Sequence, residues 1–142
     1  MIKKFLSVIM TLIISMAVFT SVVSADLTKN ITDQIAPQMS YTMSCQCYLD
    51  ISGTTISCTS LATGYPNITT KINIVQTLQK KNSSGSWDKV ASWASSDLDW
   101  RGSCENTRYN CSKGTYRLYS VFTVFSGSDS ERIPCYSTEE KL

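Results

Sequence analysis

Acidic side chains in one irregular segment are the residues best suited to chemistry. Asp97 and Asp99 are two residues apart, and Glu105 follows nearby. A pair of carboxylates can act as general acid and base, as in glycoside hydrolysis, where the two groups face each other across a cleft. The same oxygens suit a hard cation such as Ca²⁺, although their spacing does not match an EF-hand loop. Acids at this spacing more commonly belong to solvated turns, so a small acid-pair hydrolase is only a third hypothesis.

The absence of histidine restricts the chemistry further. The sequence contains none. A Ser-His or Cys-His nucleophile pair therefore cannot form, and the usual general base is missing. The cysteines also lack the paired C-x-x-C spacing of structural zinc sites. We therefore predict a protein that is not an enzyme, with no cofactor and no bound metal.

The six cysteines are an even set. In an exported chain of this size, such a set predicts structural disulfides rather than reactive thiols. If Ser52 and Gly53 form the loop of the first hairpin, Cys47 lies opposite Cys58, at a separation that a disulfide can close. Other connectivities stay open. The predicted pairs are Cys47 with Cys58, Cys104 with Cys111, and Cys45 with Cys135.

Aromatic residues are the strongest candidates for binding a ligand. Trp87, Trp100, Tyr109 and Tyr119 lie in positions that the pattern does not assign clearly to a core. Exposed aromatic rings commonly mark binding surfaces, and the planes of Trp and Tyr also suit stacking on sugar rings. The alternative is that Trp93, together with Trp87, closes one end of the core.

Segments in which apolar and polar residues alternate must position these residues. The first two predicted strands form a hairpin, and the next two form a longer hairpin around the polar loop 82–86. Residues 94–115 are irregular and contain at most an edge strand. The predicted strands cover 41–51, 54–62, 68–81, 87–93, 116–125 and 131–138. This pattern predicts an all-β fold, an antiparallel two-sheet sandwich of six or seven strands stapled by disulfides.

The first 25 residues are typical of a secretory signal peptide. Lys3 and Lys4 precede an apolar run to about Val23, and small residues end it at Ala25. A retained membrane anchor is the alternative, because about twenty apolar residues can span a bilayer. We predict cleavage after Ala25, secretion, and no stable membrane span afterwards. The predicted organisation is a signal peptide (1–25), a lead-in arm (26–40), a sandwich domain (41–138) and a frayed tail (139–142).

The net charge argues against some partners. The precursor carries 13 Lys plus Arg and 11 Asp plus Glu, and two of the lysines fall in the predicted signal peptide. A nearly neutral chain with scattered charges lacks the concentrated positive field that nucleic-acid binding requires. We therefore expect an ordinary mixed surface and no nucleic-acid partner.

Four short segments resemble small secreted proteins of Gram-positive bacteria whose function is not established. They are Leu78-Gln79-Lys80-Lys81, Gly85-Ser86-Trp87, Val90-Ala91-Ser92-Trp93 and Lys113-Gly114-Thr115-Tyr116-Arg117. A polar hairpin that ends in Trp also recurs in immunoglobulin-like and fibronectin-like domains. The resemblance implies export and a β-sandwich of that kind, and it transfers no catalytic residue.

These observations lead to one main expectation about function. We expect a secreted, non-catalytic β-sandwich, extracellular or in the cell envelope, that recognises an extracellular protein or glycan through its surface or serves as an envelope component. A carbohydrate-binding module that uses exposed Trp and Tyr is the first alternative. A secreted toxin or bacteriocin-like protein is the second.

Overall fold

The computed structural model describes residues 39–142, so the predicted signal peptide and nearly all of the predicted lead-in arm lie outside the described residues. The described chain is all-β, as predicted. None of its segments is a helix long and apolar enough to cross a membrane. Its strands are β1 (Thr42–Ser52), β2 (Thr55–Gly64), β3 (Lys71–Lys81), β4 (Trp87–Asp97), β5 (Arg101–Arg108), β6 (Thr115–Ser126), β7 (Asp129–Tyr136) and β8 (Glu140–Lys141).

The strands form two antiparallel sheets. The small sheet has the order β1-β2-β5, and the large sheet has the order β4-β3-β6-β7, with β8 also paired to β6. The predicted two-sheet sandwich is therefore confirmed. The edge strand that the sequence allowed within residues 94–115 is β5, which lies at the edge of the small sheet. One detail differs from the sequence expectation: the tail predicted to fray contains β8, and the amide of Leu142, just after β8, donates to the Gly114 carbonyl at 2.9 Å.

The core lies between the two sheets and follows the predicted alternation. On β3, Ile72, Ile74 and Leu78 are fully buried, and on β6 Leu118 and Phe122 are fully buried as well. Because successive residues of a strand point to opposite faces, the residues between them face outward. The edge strand β4 carries a bulge opposite the step from Leu78 to Gln79, where the pairing shifts by one residue.

A polar layer crosses the middle of this core. Gln76 is fully buried, and its Nε2 donates to Ser60 Oγ and to the Cys104 carbonyl, both at 2.9 Å. The Asn106 side chain donates to Gln76 Oε1 at 3.0 Å, and the hydroxyls of Ser60 and Ser120 are 2.7 Å apart. Buried polar groups are costly unless they are paired. Among the described residues, every buried side-chain nitrogen and oxygen has a partner.

The start of β1 is held by a carboxylate from the other sheet. Glu131 on β7 accepts hydrogen bonds from the backbone amides of Ser40 and Tyr41, at 2.7 and 2.9 Å, and from Thr42 Oγ1 at 2.6 Å. Hydrogen bonds to an ionised carboxylate are stronger than neutral ones. This side chain therefore fixes where the first strand begins.

The predicted disulfide staple is not supported. All six cysteines are free thiols in the structure. The first hairpin closes with Ser52 opposite Thr55, so its register is shifted by two residues from the predicted one. As a result, Cys47 lies opposite Ser60 rather than Cys58.

The other two predicted pairs also fail. Cys104 and Cys111 belong to separate parts of the core, because β5 turns the Cys104 side chain inward and the chain after β5 carries Cys111 toward Cys58 and Leu118. Cys135 comes near Cys45, with its sulfur 3.9 Å from the Cys45 carbonyl oxygen, but the two thiols are not bonded.

The buried thiols predict a loss of stability in alkaline solution. Burial raises the pKa of the Cys45, Cys58 and Cys135 thiols to about 12, from 9.0 for a thiol exposed to water. The unfolded chain therefore releases these protons at lower pH than the folded chain. The contribution of these three buried thiols to the free energy of unfolding is fully present below pH 9, and it is lost as the pH rises toward 12.

Urea unfolding measured from pH 8 to pH 11 would check this expectation. Lysines and tyrosines also titrate in this range, so the informative comparison is the wild-type protein against Cys58→Ala. We expect the pH dependence of the free energy of unfolding to be shallower in the variant. Identical slopes for the two proteins would show that the Cys58 thiol does not take part.

Candidate recognition face

The outward-facing side chains of β3, β4, β6 and β7 form the surface that we call the cationic face. The alternation that buries Ile72 and Phe122 turns every second residue of these strands to this side. The register aligns side chains from different strands in rows. One row runs from Ser92 through Thr77 and Tyr119 to Tyr136.

The charges on this face are of one sign. Among the outward residues of these four strands there is no aspartate or glutamate. The five cations are Lys71, Lys81, Lys89, Arg117 and Arg132. Within residues 39–142 the one salt bridge joins Lys81 to Glu139, at 3.3 Å, and Glu139 lies beyond the end of β7. The face is therefore a concentrated positive surface.

Arg117 lies at the centre of an aromatic cluster on this face. Its guanidinium carbon is 4.2 Å from the centre of the Trp87 ring and 4.6 Å from that of Tyr136. The rings of Tyr119 and Tyr136 are stacked, with their centres 4.7 Å apart. Arg117 Nε donates to Gln79 Oε1 at 2.8 Å. These contacts fix the side chain, and its terminal nitrogens have no carboxylate partner among the described residues.

Two lysines are held against the face in the same way. Lys71 Nζ lies 4.3 Å from the centre of the Phe125 ring, and Lys81 Nζ lies 5.3 Å from that of Trp87. A cation over an aromatic ring is attracted by the negative face of the ring. Because these cations are held close to the sheet, a ligand would lose less side-chain entropy in binding them.

An apolar row separates the two groups of cations. Ala94, Val75, Val121 and Pro134 lie side by side across the four strands. Val75 is 48% exposed, whereas Val121 is covered by its neighbours. A shallow open depression of about 380 Å³ lies next to this row, over β3 and β4. It is a flat surface for contact rather than an enclosing pocket.

The outer face of the small sheet has a different composition. Asp50, Arg101 and Glu105 are its charged residues, and most of the others are hydroxyl-bearing or amide side chains. The near-neutral net charge is thus an average over two unlike faces. The expectation of an evenly mixed surface was wrong for the large sheet.

The structure brings together two of the four predicted ligand contacts. Trp87 and Tyr119 both lie on the cationic face. Trp100 lies in the turn between β4 and β5, where the Arg101 guanidinium is 4.0 Å from the centre of its ring. Tyr109 follows β5 and is 66% exposed. Trp93 packs against the core, as the alternative interpretation proposed, whereas Trp87, which that interpretation also placed there, faces outward.

Sequence reasoning missed Arg117 and Tyr136 as members of this site. The signal for Arg117 was available, because it precedes Tyr119 by two residues in the strongest predicted strand and so shares its face. Tyr136 gave no comparable signal. Its contact with Tyr119 depends on the pairing of β6 with β7.

The acidic residues considered for catalysis have structural partners instead. Asp97 Oδ2 accepts from the Ser103 amide at 3.2 Å, and Asp99 Oδ1 accepts from the Trp100 amide at 2.6 Å. Both carboxylates therefore stabilise the turn between β4 and β5. Glu105 points outward from the small sheet. In the part of the chain that the structure describes, no group of three or more metal-binding side chains converges.

No family model matches the chain, and no curated protein matches it. Among solved structures, it is similar to the solution structure of R. palustris CsgH, with a TM-score of 0.36 and 16% sequence identity. The similarity covers 63% of this chain and 87% of that one. The resemblance to small secreted Gram-positive proteins thus gains no support from a family match.

Proposed function

We propose that this protein is an exported, non-catalytic recognition protein, extracellular or in the cell envelope, that binds its partner through the cationic face. The observation that carries the proposal is the segregation of charge: five cations and no carboxylate on one side of the large sheet. On most protein surfaces positive and negative side chains are mixed. A surface whose charges all have one sign attracts a partner of opposite charge. Export is supported by residues 1–25, which have the composition of a signal peptide.

The strand order supports an immunoglobulin-like or fibronectin-like sandwich as the scaffold. In immunoglobulin constant domains the fourth strand belongs to the sheet of the first, second and fifth strands. Here β4 pairs with β3 instead, which gives three strands against four before β8 is counted. The position of β4 in the large sheet widens that sheet and brings Trp87 and Lys89 into the cationic face.

The non-catalytic assignment rests on how the candidate catalytic groups are used. The sequence offers no histidine, and the oxygens of Asp97 and Asp99 bind backbone amides of their own turn. A catalytic acid pair needs a cleft that holds a substrate between two carboxylates. The depression on the cationic face is shallow and is lined by Lys71, Asn73 and Val75, which supply no carboxylate.

Binding of the purified, fluorescently labelled protein to intact cells of the producing organism would test the proposal. We expect the double variant Lys89→Ala/Arg117→Ala to bind at least about tenfold more weakly, because it removes two of the five cations. Arg101→Ala/Arg108→Ala is the matched control, since it removes two arginines of β5 in the small sheet. Equal binding by the wild-type protein and both variants would contradict a role for the cationic face.

A further inference from the structure

We propose that the occupant of the cationic face is an acidic polysaccharide, an extended chain of sugar rings that carries carboxylate groups. This inference rests on the proposed function and names the partner's chemistry. It follows from the arrangement of charge and apolar surface along the sheet.

The cations lie at the two ends of the face, with the apolar row between them. Arg117 and Lys89 share one row of the register, on either side of Gln79, whereas Arg132 lies on the row of Asn73. Six residues of strand separate these rows, which corresponds to about 20 Å. A ligand that meets both groups of cations must therefore be elongated and must carry more than one negative charge.

The middle of the face suits the apolar side of sugar rings. Val75 is 48% exposed, and Ala94 and Pro134 are exposed on the same row. Such a strip can pack against the C–H faces of a sugar chain while the cations at either end bind its carboxylates. Arg117 is well prepared for this role, because an arginine can form two parallel hydrogen bonds to a carboxylate.

The same contacts make a nucleic acid a weaker match. Single-stranded nucleic acids bind proteins largely by stacking their bases on open aromatic rings. On this face the rings already contact each other or a cation: Tyr136 contacts both Tyr119 and Arg117, and Trp87 contacts Arg117 and Lys81. Little aromatic plane is therefore free for bases.

Isothermal titration calorimetry at low salt with four probes tests the inference. Polygalacturonate supplies both sugar rings and carboxylates. Its fully methyl-esterified form keeps the rings but loses the charge, poly-L-glutamate keeps carboxylates without sugar rings, and oligo-dT supplies phosphates and bases. We expect polygalacturonate to bind at least about tenfold more tightly than each of the other three, a difference of about 1.4 kcal/mol or more.

Three variants make the test specific to the face. Arg117→Gln should weaken binding of polygalacturonate about tenfold or more. Val75→Ser should weaken it by more than it weakens any binding of poly-L-glutamate, because only the sugar polymer packs against the apolar row. Arg101→Ala, on the small sheet, should bind as the wild-type protein does. Thermal unfolding of each variant separates a loss of binding from a loss of the fold.

The outcomes separate this inference from the proposed function. Equal binding of polygalacturonate, poly-L-glutamate and oligo-dT would show a surface that takes any polyanion, and tighter binding of oligo-dT would indicate a nucleic-acid partner. Either result overturns the acidic polysaccharide. No binding to polygalacturonate, together with cell binding that still depends on Arg117, would also overturn it but would leave the proposed function standing. Cell binding independent of the cationic face would overturn both.

Discussion

Replacing Gln76 with leucine is expected to lower the free energy of unfolding by about 2–5 kcal/mol, since each buried partner left unpaired costs about 1–3 kcal/mol. The Gln76 amide joins Ser60, the Cys104 carbonyl and Asn106 in one network between the sheets. Leucine has a similar size, so the effect reports the lost hydrogen bonds rather than a cavity. Urea unfolding at neutral pH measures it.

The control for this experiment is the same substitution at an exposed position. Gln46 lies on the outer side of β1 and is exposed. Gln46→Leu should change the free energy of unfolding by no more than about 0.5 kcal/mol. If Gln76→Leu were as stable as this control, the polar layer would not contribute to the stability of the fold.

Replacing Glu131 with glutamine should release the beginning of β1 and lower the free energy of unfolding by about 1.5–3 kcal/mol. Glutamine has nearly the same shape, but it has one acceptor oxygen where the carboxylate has two. The Ser40 and Tyr41 amides use different oxygens of Glu131, so one of them loses its partner. We expect faster hydrogen exchange at these two amides.

Glu105→Gln provides the matched comparison, because Glu105 is exposed on the small sheet. This variant should leave both the exchange of the Ser40 and Tyr41 amides and the global stability unchanged. Unchanged exchange of those amides in Glu131→Gln would show that other contacts hold the start of the strand.

Much of the fold could be predicted because alternation depends only on the chain itself. Cys45, Leu49, Ile56 and Ile74 were assigned to inward faces from the period of two, and their burial follows that assignment. By the same alternation, Gln76 shares its side of β3 with Ile74 and Leu78. A polar residue at such a position indicates a buried hydrogen-bond network, although the partners of Gln76 come from other strands.

The disulfide prediction failed for a different physical reason. Alternation fixes which face a residue occupies, but it does not fix which residue lies opposite. Moving the first turn from 52–53 to 53–54 kept every inward residue inward and placed Cys47 two positions away from the predicted partner. Gly53 adopts φ of 58°, which glycine tolerates readily, so the turn conformation suits that position.

The cationic face could not be predicted because it is assembled across strands. Trp87, Arg117 and Tyr136 come from β4, β6 and β7, and they meet only because β6 lies between β3 and β7. The net charge of the chain does not reveal this arrangement. A chain with nearly balanced charge can still present a face of one sign when one sheet collects the cations.

The bulge in β4 affects how copies of the protein can meet. A straight, unpaired outer strand offers its amides and carbonyls to another chain and favours growth into fibrils. Here the bulge opposite Leu78 and Gln79 bends the edge strand β4, and Lys89 next to the bulge adds a charge. Two copies of the protein held close together would therefore be kept from joining their sheets at this edge, so a high local concentration need not lead to aggregation.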